Sequence, residues 1–502
     1  MRTLTTRGKR IEMDKWIFVV WLLFSLCWID PATGKNWKKR SALGFVLGAT
    51  LNGLFLYLTQ MTLIPVNILL YLATNVACGK IFNSITNEFA RFKSDDKHDR
   101  KVLPFFFGGV VLFCAMLGLA IISEPANTTA LYNLAELEEP DLNLLNTSHI
   151  ILISSNNAIR LGNNKLGELG NQAKIDEARW QVVNGKLNYL LPLAYAGTTQ
   201  AWVLGNKGTE GYLMLSAENQ SPEVQYVKGH SLRYIPSAIF GHDLKRHIWA
   251  KYPTFWQGDS IFQLDGNGNP IYVTVLDLPS VWGITGDKPA GIVVTDPETG
   301  QMAKYGVSEI PAWVQRSYEG ETVTQYLRWW GLYPHGFWNT LFSKNGITAP
   351  VKDLSYRKDD IGEIKIVAGQ TSALQPLCGN DGRLYYAAAM GNPNDDSHSL
   401  TAYVVANAAK LPIKLMLYPI NESIDSLGAA QNIQQLDAVS HVPGHCVQPL
   451  NLYNISGKYA WLGPVATSYD EFAVISLTRL DNGKAYFGQN LADVYAKAGL
   501  DG

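Results

Sequence analysis

Residues 103–122 read LPFFFGGVVLFCAMLGLAII, a run with no charge in it. A helix of about 20 residues rises about 30 Å, enough to cross the hydrocarbon of a bilayer. Two more apolar runs, 42–58 and 61–78, precede it and are joined only by Tyr57-Leu-Thr-Gln60. With so little chain between them, both can span only as a tight helical hairpin. A fourth run, 16–29, has an apolar core of about 13 residues, the low end for a span. Its Trp16, Trp21 and Trp28 suit the membrane interface. The expectation is a membrane domain over 1–122 with three or four helices, in contact with a lipid bilayer. Everything after it reads as polar globular sequence.

Charge then sets the orientation. The segment 80–101 carries Lys80, Arg91, Lys93, Lys97, Arg100 and Lys101, whereas Glu124, Glu136, Glu138, Glu139 and Asp141 follow the last run. Basic loops stay on the cytoplasmic side. Residues 123–502 are therefore expected outside a bacterial-type inner membrane, with Lys35–Arg40 inside. Arg2, Arg7, Lys9, Arg10 and Lys15 pull the N-terminus inward, in tension with a spanning first helix. A cleaved signal peptide needs a small-x-small site, and the run instead exits through Cys27-Trp28-Ile29-Asp30. Leu26 likewise denies Cys27 the small residue that a lipidated cysteine requires. The net charge of −1 gives no reason to expect nucleic acid as a partner.

Beyond residue 170, strand and turn signals recur four times. The first copy runs 178–193 through Asn184-Gly185, then 211–217, a turn at 218–223 and 224–227. The second occupies 258–314, with runs 261–264, 271–276, 291–295 and 301–305 around the turns 267–269 and 296–300. The third turns at Asn380-Asp381-Gly382 into 383–390, then 400–406 and 413–418. The fourth turns at Ser456-Gly457 into 458–462, then 472–477, Asp481-Asn482-Gly483 and 485–488. Gly and Asn turns between alternating runs argue for antiparallel strands, and their regular order argues for an internal repeat. The predicted domains are 123–257, 258–345 and 346–502, the last holding two copies. The fold class is α+β.

Helical spacing appears at 156–170, 237–252, 309–314 and 322–342. The last of these concentrates Tyr326, Trp329, Trp330, Tyr333, Phe337, Trp338 and Phe342. Packing between repeats or against the membrane helices is the favoured reading for them, and a membrane-interface role is the alternative.

The segment AGIVVTDPETG, residues 290–300, follows an aromatic strand and resembles the last hairpin of PepSY-type domains, whose turn reads Asp-x-x-Thr-Gly. In that family a helix precedes a small antiparallel sheet, as 156–170 precedes 180–193 here. The chain as a whole is also similar to multi-pass bacterial membrane proteins. The match covers 271–305; the stretches 211–227, 400–418 and 472–488 lack the turn. The resemblance implies an envelope protein that binds or restrains other proteins, with Asp296, Thr299 and Gly300 as turn residues.

Catalytic and metal motifs are sparse. Asp265-Gly-Asn-Gly-Asn269 imitates a calcium loop, but Leu276 stands where the bidentate carboxylate belongs. His242 and His247 lie five apart, which splays them on a helix. His441, His445 and Cys446 have no fourth ligand nearby. No G-x-S-x-G, H-E-x-x-H, P-loop or G-x-G-x-x-G occurs. Membrane runs without charge argue against a proton-coupled transporter. No catalytic residue, cofactor or metal is predicted. Cys378 and Cys446 are the cysteines expected outside, where thiols oxidise, and are expected to pair. Sequons at Asn127, Asn146, Asn219, Asn421 and Asn454 matter only in a eukaryotic secretory route. The function expected is a non-enzymatic envelope protein binding a protein, peptide or glycan. The alternatives are an enzyme with a site assembled between repeats, or an accessory subunit of a membrane complex.

Overall fold

The computed structural model describes residues 14–29, 37–91, 103–146, 148–167, 173–281, 285–358, 364–372, 374–393, 398–420, 423–440, 442, 445–467 and 471–500. His441, the sequon residues Thr147 and Asn421, and most of the basic N-terminus and basic loop lie outside them. The chain is mixed α and β, and it divides into two compact units.

The first unit comprises Met1–Asn127, Asp243–Gln257 and Leu276–Lys288. Two of its helices, Trp37–Thr59 and Pro65–Asn83, are long and apolar enough to cross a membrane. The second starts at Pro65, a residue pre-set for a first helical position, so 61–64 belong to the turn and not to the helix. Leu103–Ala126 forms a further helix of 24 residues. The helix Lys15–Leu26 has only 12 residues, about 18 Å of rise and short of a span.

Tryptophans and glycines lock this short helix to the hairpin. Trp21 Nε1 donates to Ala49 O at 2.8 Å, and Trp28 Nε1 donates to Asn75 Oδ1 at 3.0 Å. A Cβ on Gly48 would lie 2.5 Å from the Trp28 ring, and one on Gly44 2.3 Å from Trp28 O. Glycine is thus what lets the helix approach. Tyr71 donates to Asn52 Oδ1 at 2.6 Å and stacks on Phe55, which satisfies polar groups away from water. At the other end sits the helix Leu244–Lys251, N-capped by Asp243. Its Trp249 joins a core with Ile17, Val20, Phe24, Leu56 and Leu63. Trp249 Nε1 donates to Met61 O, Arg246 lies over Tyr57, and Asp14 N donates to Ala250 O at 2.9 Å.

The second unit comprises Thr128–His242, Gly258–Val275 and Pro289–Gly502. Four-stranded meanders form the bodies of four sheets that have five, four, seven and five strands in all, and within each meander the strand order follows chain order. The meander of sheet 1 is Arg179–Val183, Lys186–Tyr195, Thr209–Ser216 and Gln225–Leu232. That of sheet 2 is Trp256–Leu264, Pro270–Val281, Thr285–Thr295 and Met302–Gly306. That of sheet 3 is Leu374–Cys378, Leu384–Gly391, Ser399–Asn407 and Lys414–Tyr418. That of sheet 4 is Asn451–Ile455, Lys458–Ala466, Phe472–Arg479 and Ala485–Gly488. Hairpin turns fall at Asn184-Gly185, Ser456-Gly457 and the Asp265 and Asp296 turns, with positive φ at Asn184 and Ser456.

Contacts link these sheets into a closed ring. Gln181 of sheet 1 exchanges two hydrogen bonds with Leu264 of sheet 2, at 2.9 and 2.8 Å. The segment 315–318 joins sheet 2 to sheet 3: Gln263 bonds the backbone of Gln315 and Arg316, and Ser317 N donates to Ala408 O. Asn451 of sheet 4 donates to Pro376 O of sheet 3, and Tyr403 packs edge-on against Trp461. The segment 145–153 closes the ring: Asn454 N donates to Leu145 O, Leu152 N to Ala217 O, and Tyr189 to Ile153 O. Apolar side chains fill the space between sheets 3 and 4.

The aromatic segment divides in two. Tyr326, Trp329 and Tyr333 of the helix Gly320–Leu332 and its end are buried, as packing requires, whereas Trp338 and Phe342 stand exposed. The expected Cys378–Cys446 disulfide is absent. Cys378 is wholly buried at the end of a sheet 3 strand opposite Leu384, while Cys446 pairs with Ala466 on the edge of sheet 4. The two thiols are held by different sheets, and burial pushes the Cys378 thiol up to about 12, away from the reactive thiolate.

Gly300 has φ +74°, and a Cβ there would lie 2.5 Å from the Tyr234 ring, so Gly300→Ala should cost about 1–3 kcal/mol in a denaturant melt. Burial, and then the Asp287 charge, push the Asp277 carboxyl up to about 7. Its folded pKa thus exceeds its unfolded value, so this group's stabilisation is complete below about pH 4 and is lost as pH rises through about 7, up to about 4 kcal/mol. Asp277→Asn should flatten that slope and raise the melting temperature at pH 8, leaving it little changed at pH 4.

Candidate functional site

Within the second unit a cavity of about 420 Å³ is lined by the first strands of sheets 1, 3 and 4 and by the segment 316–324. Its size falls within the range of small-ligand sites. Arg316 is one of its lining residues. This guanidinium is 3% exposed and carries its charge among aromatic rings. It lies 4.2 Å from the Trp180 ring centroid and 5.7 Å from that of Tyr386. Its Nε and Nη2 donate to the Tyr386 hydroxyl at 3.2 and 3.0 Å, and Nη2 also donates to Glu319 Oε2 at 2.8 Å. Tyr386 in turn donates to Tyr318 O at 2.6 Å. Arg316 Nη1 has no hydrogen-bond partner.

A second arginine completes a charge chain. Arg179 Nη2 reaches Glu177 Oε2 at 2.6 Å, and its Nη1 donates to Glu319 Oε1. Glu319 thus bridges both cations, one to each oxygen. Burial opposes the Arg316 charge, but Tyr386 and the carboxylates of Glu319 and Glu177 outweigh it, and the group is held above its ordinary range. Burial raises the Tyr386 phenol and, against the pull of Arg179, the Glu177 carboxyl. The Asp353 carboxyl on the cavity wall is raised by burial as well. Amides complete the lining: Gln375, Gln448 and Asn451, whose Oδ1 lacks a partner.

None of these residues stands out in the sequence. Arg179 and Glu319 lie 140 positions apart, and an arginine-glutamate pair at i,i+3 is common on any surface. The one available signal is the placement of Trp180 and Tyr386 on early strands of two hairpins.

The residues singled out from sequence lie elsewhere. Asp296 accepts from Glu298 N at 2.8 Å and from the Thr299 hydroxyl at 2.5 Å, which is turn chemistry. The turn is engaged from outside as well, with Arg233 N donating to Pro297 O and His230 meeting Glu298 at 2.7 Å. Asp265 likewise closes its own turn through Asn267 N and Asn269 N. Among the described residues no group of three or more His, Cys, Asp or Glu side chains is placed to hold a metal.

The chain matches no family model, and no curated protein sequence matches it. Among solved structures, CoXyl43, a GH43 β-xylosidase/α-arabinofuranosidase from a compost microbial metagenome, aligns at 10% identity, covering 62% of this chain and 92% of that one, with a TM-score of 0.14. A GH43_1 enzyme from Xanthomonas citri aligns at 9% identity over 72% and 96%, with a TM-score of 0.15. Scores at this level carry no inference about fold or activity.

Replacing Arg316 by Met should destabilise the chain by about 3–5 kcal/mol, because Glu319 and the Tyr386 hydroxyl lose a buried cation. Arg316→Lys keeps the charge but not the planar fork or the stacking and should lose an intermediate amount. Denaturant midpoints check both, and a wild-type midpoint for Arg316→Met would refute the clamp.

Proposed function

We propose that this protein is a multi-pass protein of the cytoplasmic membrane whose region from residue 123 lies outside and holds a peptide or glycan segment of a partner, without transforming it. The observation that carries the reading is the 420 Å³ cavity lined by rigid sheets and by amide, carboxylate and guanidinium groups. Closed rings of four-stranded meanders are the plan of β-propellers, which enclose a central channel. Side-chain amides offer donors and acceptors together, which match peptide groups or sugar hydroxyls. Arg316 is fixed by Trp180, Tyr386 and Glu319, so it meets a ligand at little entropic cost.

The membrane assignment rests on Trp37–Thr59 and Pro65–Asn83. The hydrogen bond from Asp14 N to Ala250 O sets the start of the first helix beside the helix Leu244–Lys251. Charge supports placing the region from residue 123 outside: segments 30–40 and 80–101, expected inside, carry ten Lys and Arg. The tandem PepSY-like reading also belongs to the proposal. Because the Asp296 turn is engaged internally, partner binding passes to the cavity.

One observation favours an enzyme instead. Glu177 has a carboxyl raised by partial burial, its side chain still 60% exposed, and it lies beside Glu319 through Arg179, a shifted carboxyl within reach of solvent such as a general acid needs.

Alkaline extraction of native membranes should leave the protein in the pellet. Crosslinking and pull-down should recover a partner with the wild type and lose it with Ser155→Trp, which fills the cavity wall. Recovery unchanged by that variant would overturn the cavity as the binding site, and turnover of a glycan or peptide abolished by Glu177→Gln would favour the enzyme.

A further inference from the structure

The short helix Gly336–Leu341 is built with two unlike faces. Its inner face is closed by Asn339, which is buried: Nδ2 donates to Asn345 O at 2.9 Å, and Oδ1 accepts from Asn345 N at 3.1 Å. These bonds hold the following turn rigidly under the helix. On the outer face Trp338 is 68% exposed, Leu341 54% and Phe342 78%. Trp338 and Phe342 stack with ring centroids 5.8 Å apart and planes at 19°, so they form one preassembled apolar plate.

Water is a poor neighbour for such a plate. Three large apolar side chains this exposed and this close together mark an interaction surface more than a stray residue. Chain continuity indicates what covers it. The helix packs against Thr128–Tyr132, a segment that begins two residues after Leu103–Ala126 ends. The plate is therefore tied to a point within a few residues of where the last apolar helix would leave the bilayer. Residues 326–345 contain no Asp or Glu and include Lys344, which is exposed, a balance suited to anionic headgroups.

We propose that Trp338, Leu341 and Phe342 form an interfacial anchor that enters the headgroup–acyl boundary of the bilayer crossed by the chain's own helices. Tryptophan is favoured at that depth because its ring is apolar with one polar edge. This inference rests on the membrane reading of Leu103–Ala126. It gives the second unit a contact with lipid that is independent of its partner.

The full chain, with its native cysteines replaced by Ser or Ala, should be placed in phosphatidylcholine/phosphatidylglycerol nanodiscs and labelled with nitrobenzoxadiazole at Leu341→Cys. A second probe at Ser343→Cys guards against a misfolded first variant, and Asn482→Cys serves as a distant control. At both test sites the emission should shift to the blue, and lipid carrying a nitroxide at acyl carbon 5 should quench it at least twofold, more than a label at carbon 12, with the control unaffected. Water-like, unquenched emission from both probes in chain that has entered the discs would overturn the anchor, and a blue shift without quenching would do so in favour of a second copy. Chain that never enters the discs would sink the membrane reading itself.

Discussion

A guanidinium held between a tryptophan and a tyrosine, deep inside a ring of sheets, is a costly arrangement unless every neighbour is placed to receive it. Arg316 meets that condition at Nε and Nη2, though not at Nη1, through residues drawn from three elements: Trp180 on sheet 1, Tyr386 on sheet 3, and Glu319 at the start of a helix. Tyr386 then bonds Tyr318 O, and Glu319 bonds Arg179. Because each partner serves two others, sheets 1 and 3 and the segment between them are fixed in one arrangement. The cavity beside them inherits that rigidity.

Buried amides do the same at the other joints. Gln181 and Gln263 are both buried, and each bonds backbone groups of a neighbouring element. An amide that donates and accepts toward one backbone segment sets register as well as proximity, since a shift of one residue would leave both groups unsatisfied. Apolar packing between sheets 3 and 4 buries a large cluster of side chains but is less selective. The polar joints therefore specify the order of the ring, and the apolar core stabilises it.

The first unit uses a different solution. Glycines at 44, 48 and 79 admit the end of a helix too short to span, and its tryptophan donates to Asn75 and its neighbour to a backbone carbonyl. Close backbone approach and satisfied indoles hold these helices together. The helix Leu244–Lys251, read from its sequence as one of several amphipathic stretches, closes the opposite end of that unit through Trp249.

Local chemistry was written in the chain. The apolar runs, the α+β mixture, the hairpin turns at Asn184-Gly185 and Ser456-Gly457 and the self-contained Asp265 and Asp296 turns all depend on spacing within about a dozen residues, and that spacing is visible in one dimension. The disulfide expectation failed because two cysteines near similar turns say nothing about which sheet holds each. The aromatic segment split between core and surface for the same reason: its periodicity marks a helix but not where the helix ends against the rest of the fold. Arg316, Glu319 and Arg179 were not legible at all. Arg316 and Glu319 are neighbours on the chain, but Arg179 reaches Glu319 across 140 positions, and only the closed ring decides which charges meet and which rings shield them.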